Sequence, residues 1–132
     1  MGSEGPAGER RRFRRQRLSR SAEFDRVYRE GRSHASRYLV VYAFPRGDGG
    51  ADPRLGVSVG RKVGGAVDRN RVKRLLREAF WAAADGLPRG HDFVLVARPD
   101  ARDLAERDGV AGIERELGAL LEKAGLAKSE AA

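Results

Sequence analysis

The sequence contains no cysteine among its 132 residues. Disulfide bonds, thiolate metal sites and cysteine nucleophiles are therefore excluded, and a reducing, cytoplasmic environment is expected. The sequence also lacks any apolar run of about 18 residues, the length that a membrane-spanning helix requires. Its N-terminus has charges but no apolar segment of the kind found in signal peptides. We therefore expect a cytoplasmic protein without a membrane partner.

Histidine is scarce as well, and neither His34 nor His91 lies in a metal-ligand spacing such as HExxH. The acids are scattered along the chain, and nine of the 19 lie in its C-terminal third. The segment 60–65 lacks the GKS or GKT sequence of a phosphate-binding P-loop. An independent nuclease would need convergent carboxylates, a histidine pair or a nucleophile beside a base. The pattern therefore indicates a binding protein with no catalytic residue and no metal motif of its own.

Positive charge is what the sequence has in abundance. Lysine and arginine number 27 against 19 acids, which gives a net charge of +8 at pH 7 and a pI of about 10.7. Basic residues concentrate in segments 10–20 and 61–77, whereas the chain from residue 100 onwards is net negative. This balance is typical of a single domain that binds nucleic acid, and it places the binding surface in the first two-thirds of the chain.

Composition divides the chain into three regions. We predict a disordered basic arm at 1–16, a folded domain at 17–126 and a frayed tail at 127–132. Two interpretations of the arginine-rich arm remain open. It is either a solvated flexible tail or a non-specific phosphate contact whose affinity falls with salt.

Periodicity predicts six helices and strands within the domain. They are a helix capped by Ser21 and ended by Gly31, strands at 37–45 and 55–62, a helix at about 66–84, a strand at 92–98, and a packing helix from Val110. The glycine-rich loop 46–53 predicts a hairpin between the first two strands. The strand, helix and strand that follow predict a βαβ unit with parallel strands, which is right-handed by default.

The helix predicted at 66–84 is strongly amphipathic. Its apolar stripe comprises Val72, Leu75, Leu76, Ala79 and Phe80. Its opposite side carries Asn70, Lys73, Arg74 and Arg77, with Arg69 and Arg71 at the boundary. Because the apolar stripe must be buried, the polar side faces outward and requires an anionic partner.

Aromatic residues supply a second candidate surface. Phe24, Val27 and Tyr28 share one helix face, and they are either core residues or part of a binding cleft. The strand at 37–45 carries three aromatics on one face, namely Tyr38, Tyr42 and Phe44, which either pack in the core or stack on bases. The face of Gly56, Ser58 and Gly60 has almost no side-chain bulk, so it either receives another element closely or lines a groove. Without a helix-turn-helix pair, this combination favours single-stranded or irregular RNA.

Residues 68–78, DRNRVKRLLRE, resemble the signature of the bacterial ribonuclease P protein subunit family, together with 56–59, 62–64 and 66–67. Upstream matches in the same order are Arg17-Leu18, Phe24, Val27-Tyr28, Gly31 and Arg37-Tyr38. The resemblance covers about residues 17–121. Two positions depart from the pattern, since Arg61-Lys62 replaces two lysines and Gly65 replaces asparagine.

The resemblance implies an α+β fold in a single domain, with an αβββαβα-type mixed sheet like that of the second domain of a ribosomal protein. Its βαβ crossover would be left-handed, contrary to the default. The resemblance also implies that the protein does not cut. A large catalytic RNA subunit with bound Mg²⁺ would hydrolyse precursor tRNA and release its 5′ leader, and the chain would be the accessory subunit of this ribonucleoprotein endoribonuclease, with no obligate protein partner.

The resemblance further implies two RNA-binding surfaces. The surface for the catalytic RNA comprises Arg61, Lys62, Arg69, Asn70, Arg71, Lys73, Arg74 and Arg77. The cleft for the single-stranded leader comprises Arg20, Phe24, Tyr28, Arg37, Tyr42 and Ser58. The alternative function is that of a general RNA-binding or ribosome-associated protein without a dedicated catalytic RNA.

Overall fold

The computed structural model describes residues 15–47 and 52–126. The predicted arm up to residue 14 and the predicted tail at 127–132 lie outside the described residues. The helices and strands, in chain order, are β1 (Gln16–Arg17), α1 (Ser21–Glu30), β2 (Arg32–Ala35), β3 (Leu39–Pro45), β4 (Arg54–Val59), α2 (Ala66–Ala83), β5 (His91–Ala97) and α3 (Ala101–Lys123). From α1 onwards this is the αβββαβα order that the resemblance implies.

The five strands form one mixed sheet in the order β1-β4-β5-β3-β2. β4 and β5 are parallel neighbours joined through α2, which confirms the predicted βαβ unit, while the left-handed sense of its crossover stays a prediction. The predicted hairpin between β3 and β4 is wrong, because β5 lies between these strands and pairs with both. β5 is the most completely buried strand, with Phe93, Val94 and Leu95 fully buried, because its central position covers both of its faces.

The main core lies between one face of the sheet and the helices α2 and α3. The apolar stripe predicted for α2 is buried throughout, and alternate residues of β3, namely Leu39, Val41 and Ala43, face it. Each fully buried leucine or phenylalanine contributes about 1.5–3 kcal/mol relative to an exposed one. Burial of this stripe therefore fixes which side of α2 faces outward.

α3 is longer than the helix predicted from Val110, because it begins at Ala101. Gly109, at φ 62°, breaks it into two helical segments, and the left-handed backbone there suits glycine. The first segment buries Ala101, Leu104 and Ala105 at helical spacing. Two of these three side chains are small, so the apolar signal of this segment is weak in the sequence.

Two short strands have no apolar alternation and were not predicted. β2 is the polar sequence RSHA at one edge of the sheet. β1, at the other edge, pairs Gln16 with Arg54 and Arg17 with Leu55. The strand β1 therefore includes one residue of the predicted arm.

α1 packs on the opposite face of the sheet above a smaller core of Leu18, Val27 and Val94. The helix begins at Ser21, and the predicted cap by Ser21 is wrong because Arg20 occupies the cap position. The Glu23 carboxylate instead turns back and accepts hydrogen bonds from the backbone amides of residues 19 and 20, at 3.1 and 3.2 Å. A side chain from inside the first turn therefore satisfies the amides that precede the helix.

A fully buried carboxylate, Asp92 of β5, joins α1 to the sheet. Arg54 donates from Nε and Nη2 to its two oxygens at 2.8 Å each. Arg46 Nη1 donates to Oδ1 at 3.0 Å, and Arg26 Nη2 reaches Oδ2 at 3.5 Å. Burial alone would raise the pKa of Asp92, but hydrogen bonds from Arg54 and Arg46 lower it overall. Arg26 belongs to α1, and Arg54 also pairs with Glu23 of α1 at 3.3 Å.

We expect Asp92→Asn to lower the free energy of unfolding by about 3–5 kcal/mol at pH 7, because it removes the buried carboxylate that pairs with three guanidinium groups. Folding lowers the pKa of Asp92. Its stabilising contribution is therefore present above the unfolded-state pKa of about 3.9 and is lost as pH falls through the folded-state pKa. In urea denaturation, the free energy of unfolding of the variant should therefore fall less between pH 7 and pH 3 than that of the wild type.

The control is Asp25→Asn, at an exposed position of α1. It should change the free energy of unfolding by less than about 0.5 kcal/mol. Equal losses in the two variants would contradict a special role for Asp92.

Candidate RNA interface

α1 crosses the sheet over one row of residues. The strand register places Gly56, Val94 and Tyr42 side by side on β4, β5 and β3. Val27 of α1 is fully buried and packs with Val94 in the smaller core. The interpretation of Val27 as a core residue is therefore confirmed.

Phe24 lies directly on the backbone of Gly56. A Cβ at Gly56 would be 2.6 Å from Cζ of the ring, so only glycine admits the ring at this depth. The face of β4 without side-chain bulk thus receives another element at close range, as one of the two interpretations predicted. The Phe24 side chain is only partly buried, so part of its surface remains accessible.

Tyr28 and Tyr42 continue the aromatic surface that Phe24 begins. Their ring centroids are 4.9 Å apart with the planes at 73°, and Tyr28 is 6.3 Å from Phe24. Tyr28 keeps 37% of its surface exposed. Since Val27 points into the core while Phe24 and Tyr28 retain accessible surface, the single helix α1 supplies both a core residue and two residues of a cleft wall.

The floor of this cleft lies two residues further along β4. The register places Ser58 beside Val96 and Val96 beside Val40, and all three are partly exposed. The exposed residues Arg61 and Lys62 follow at the end of β4, in a short turn of 3₁₀ helix. We refer to the surface formed by Phe24, Tyr28, Tyr42, Val40, Ser58 and Val96 as the α1 groove.

The two arginines predicted for the cleft precede α1 and β3. Arg20 is exposed and immediately precedes α1. Arg37 precedes β3 and donates from Nε to Asp100 at the start of α3, at 2.7 Å. This hydrogen bond raises the pKa of Arg37. A phosphate that binds Arg37 must therefore compete with Asp100.

The polar side of α2 presents the predicted residues unevenly. Asn70 and Arg74 are exposed, and Arg69, Lys73 and Arg77 are half-buried. Arg71 donates from Nη2 to the backbone oxygen of Ala105 at 3.1 Å. Arg71 therefore ties α2 to α3, a contact that helical periodicity does not reveal.

The described parts of the chain contain neither a cluster of metal ligands nor a membrane-spanning helix. Within residues 15–47 and 52–126, no three His, Asp or Glu side chains are grouped as they would be to hold a metal ion. None of the helices described has both the length and the apolar character needed to cross a membrane.

A basic helix on one face of the sheet and an aromatic groove on the other define an RNA-binding protein of the α+β class. The family model described as Ribonuclease P matches residues 13–125. The chain is 41% identical to the ribonuclease P protein component of Clostridium acetobutylicum, over 83% of this chain and 89% of that protein. The chain therefore belongs to the ribonuclease P protein family.

Solved structures agree with this assignment. The RNase P protein of Staphylococcus aureus aligns with a TM-score of 0.75 and 32% identity, over 87% of this chain and all of that chain. The protein from Thermotoga maritima aligns with a TM-score of 0.72 and 33% identity, over 83% and 97%. The function is accordingly that of a ribonuclease P subunit in tRNA 5′ processing, with an RNA subunit and precursor tRNA as its partners.

The contact between Phe24 and Gly56 can be tested by Gly56→Ala, which should lower the free energy of unfolding by about 1–3 kcal/mol because the new methyl group overlaps the ring. Thermal and urea denaturation measure the loss. Gly60→Ala is the matched control, since nothing lies within 4 Å of a Cβ at that position. Adding Phe24→Leu to Gly56→Ala should restore part of the stability. If it restores none, the ring does not lie on Gly56.

Proposed function

We propose that the chain joins two RNA segments within ribonuclease P. The catalytic RNA binds the basic surface of α2, and the single-stranded 5′ leader of precursor tRNA binds the α1 groove. The observation that carries this proposal is the position of the two surfaces on opposite faces of one sheet. α2 packs on the main core, and α1 packs on the smaller core across the sheet. Each RNA segment thus has its own set of side chains.

The α1 groove has the chemistry of a site for unpaired nucleotides. Phe24, Tyr28 and Tyr42 offer partly exposed rings beside a floor that is nearly flat at Ser58. Stacking on such rings contributes about 1–3 kcal/mol per base and tolerates every base. We assign Arg20 and Arg37 to the phosphates of the leader. The groove therefore selects for an unpaired strand more than for its sequence.

The α2 surface has the chemistry of a phosphate-binding site. Guanidinium groups donate pairs of hydrogen bonds to phosphate oxygens, and the amide of Asn70 adds a neutral donor. The assigned residues are Arg61, Lys62, Arg69, Asn70, Arg71, Lys73, Arg74 and Arg77. Binding through these contacts should weaken steeply as salt rises.

Bond cleavage belongs to the RNA in this proposal. The catalytic RNA binds Mg²⁺, which supplies the metal chemistry of hydrolysis, and the protein contributes binding and orientation without a catalytic residue. The complex works in the cytoplasm and needs no obligate protein partner. The absence of cysteine and the basic charge of the chain support this assignment.

Reconstitution tests the proposal directly. Adding the full chain to a catalytic ribonuclease P RNA at low Mg²⁺ should raise the rate of precursor tRNA cleavage, and the complex should bind leader-bearing tRNA more tightly than leaderless tRNA. Unchanged cleavage would reject the proposal. Equal affinity for the two tRNAs would favour a general RNA-binding protein instead.

Two substitutions should separate the two surfaces. Arg74→Ala should weaken assembly with the catalytic RNA and reduce the slope of log affinity against log salt by about one, because one phosphate contact is lost. Arg74 suits this test better than Arg71, since Arg71 also contacts α3. Phe24→Ala should leave assembly intact and weaken precursor binding to the assembled complex by about 1–3 kcal/mol.

Phe24→Leu provides the control for folding, because it keeps an apolar side chain on Gly56 while it removes the ring. It should reproduce most of the loss in precursor binding with a smaller loss of stability. Normal precursor binding by a folded Phe24→Leu variant would argue against stacking.

A further inference from the structure

The edge strand β1 brings two arginines from the N-terminal segment towards α2. The backbone N–H of Leu18 donates to the oxygen of Leu55 at 2.9 Å, and the Leu18 side chain enters the smaller core under α1. Successive side chains of a strand alternate between the faces of its sheet. Arg17 and Arg15 therefore lie on the other face, which is the face that α2 covers.

Arg15 lies beside Trp81 of α2, and the charge of Arg17 reaches Arg77. The guanidinium of Arg15 lies 5.8 Å from the centre of the Trp81 ring. Arg17 interacts electrostatically with Arg77, one turn earlier in the helix. From Arg15 to Arg17 the chain advances about 6.6 Å at the spacing of a strand, and from Arg77 to Trp81 the helix advances about 6 Å. Because the lower-numbered arginine lies near the higher-numbered helix residue, this segment runs antiparallel to α2 with a similar spacing.

These positive charges have no acidic partner among residues 15–47 and 52–126, unlike many other arginines of the protein. Arg37 pairs with Asp100 and Arg115 pairs with Asp108. In the described part of the chain, no carboxylate pairs with Arg15, Arg17 or Arg77. Burial lowers the pKa of Arg77, and the charge of Arg17 lowers it further. Arg17 is exposed and Arg77 is half-buried, and two like charges that interact in this way repel each other until an anion lies between them.

We propose that Arg15, Arg17 and Arg77 bind a phosphodiester of the catalytic RNA, so that the RNA backbone passes from α2 onto β1. A phosphate has enough acceptor oxygens for several guanidinium groups at once. The inference rests on the proposed function and adds β1 to the assembly surface. The contact made by Arg15 and Arg17 has a fixed position, unlike the non-specific phosphate contact considered for the arginine-rich arm.

The test compares three single variants of the full chain in equilibrium binding to the catalytic RNA across a salt series. Arg17→Gln and Arg77→Gln should each reduce the salt slope by about one and lower the affinity about fivefold at 0.15 M salt. The double variant should lose less than the sum of the two losses, because both side chains share one phosphate. Arg32→Gln, an exposed arginine on the opposite edge strand, is the matched control and should bind like the wild type.

A readout on the free protein separates binding from folding. Since Arg17 and Arg77 repel each other, Arg17→Gln should leave the thermal unfolding midpoint unchanged or raise it. Arg17→Lys should recover most of the salt slope, because it restores the charge. Two results for Arg17→Gln would overturn the inference: a lowered unfolding midpoint together with the loss of affinity, or an affinity equal to that of Arg32→Gln. In either case the proposed function still stands if the wild-type chain stimulates cleavage. If the wild type does not bind the catalytic RNA, both fail.

Discussion

The ion pairs around Asp92 set the geometry on which the groove depends. A buried carboxylate is tolerated only when its charge and its lone pairs are satisfied, and three guanidinium groups do this here. One guanidinium comes from α1, one from β4 and one from the end of β3, so a single acid of β5 fixes the helix against three neighbouring strands. These contacts lie on the flank of α1 opposite the floor at Ser58. The ion pairs therefore hold α1 on the side away from the groove, and they leave its aromatic residues accessible on the groove side.

Strand alternation lets one sheet support both of the proposed RNA surfaces. In β3, Leu39, Val41 and Ala43 are buried in the main core, whereas Tyr42 and its even-numbered neighbours face α1. The same strand thus supports α2 from one side and lines the groove from the other. Because the main core determines how deeply α2 is buried, the choice of core residues also determines which basic side chains reach solvent.

Sequence patterns predicted what depends on short-range periodicity and missed what depends on long-range contact. The stripe of α2 from Val72 to Phe80 has helical spacing, so the helix, its buried face and its outward basic side follow directly. Asp92 gave no comparable signal, because its arginine partners lie 38 to 66 residues away in the chain. β2 lacks apolar residues and gave no strand signal. The place of β5 between β3 and β4 depends on which strand must bury both of its faces, and a local sequence pattern does not encode that comparison between strands. The division of Phe24 and Val27 between cleft and core required the register of the sheet.

The outward side of α2 has a consequence for the lifetime of the free subunit. Arg77 lies four residues after Lys73 and three after Arg74, and like charges at these spacings destabilise a helix by a few tenths of a kcal/mol per pair. A ligand that binds only the folded state stabilises it by mass action. The RNA therefore contributes to the folding equilibrium of the protein, and chains made in excess of their RNA populate the unfolded state more often. Because proteases act on that state, the proposed assembly surface also links the amount of folded protein to the amount of RNA.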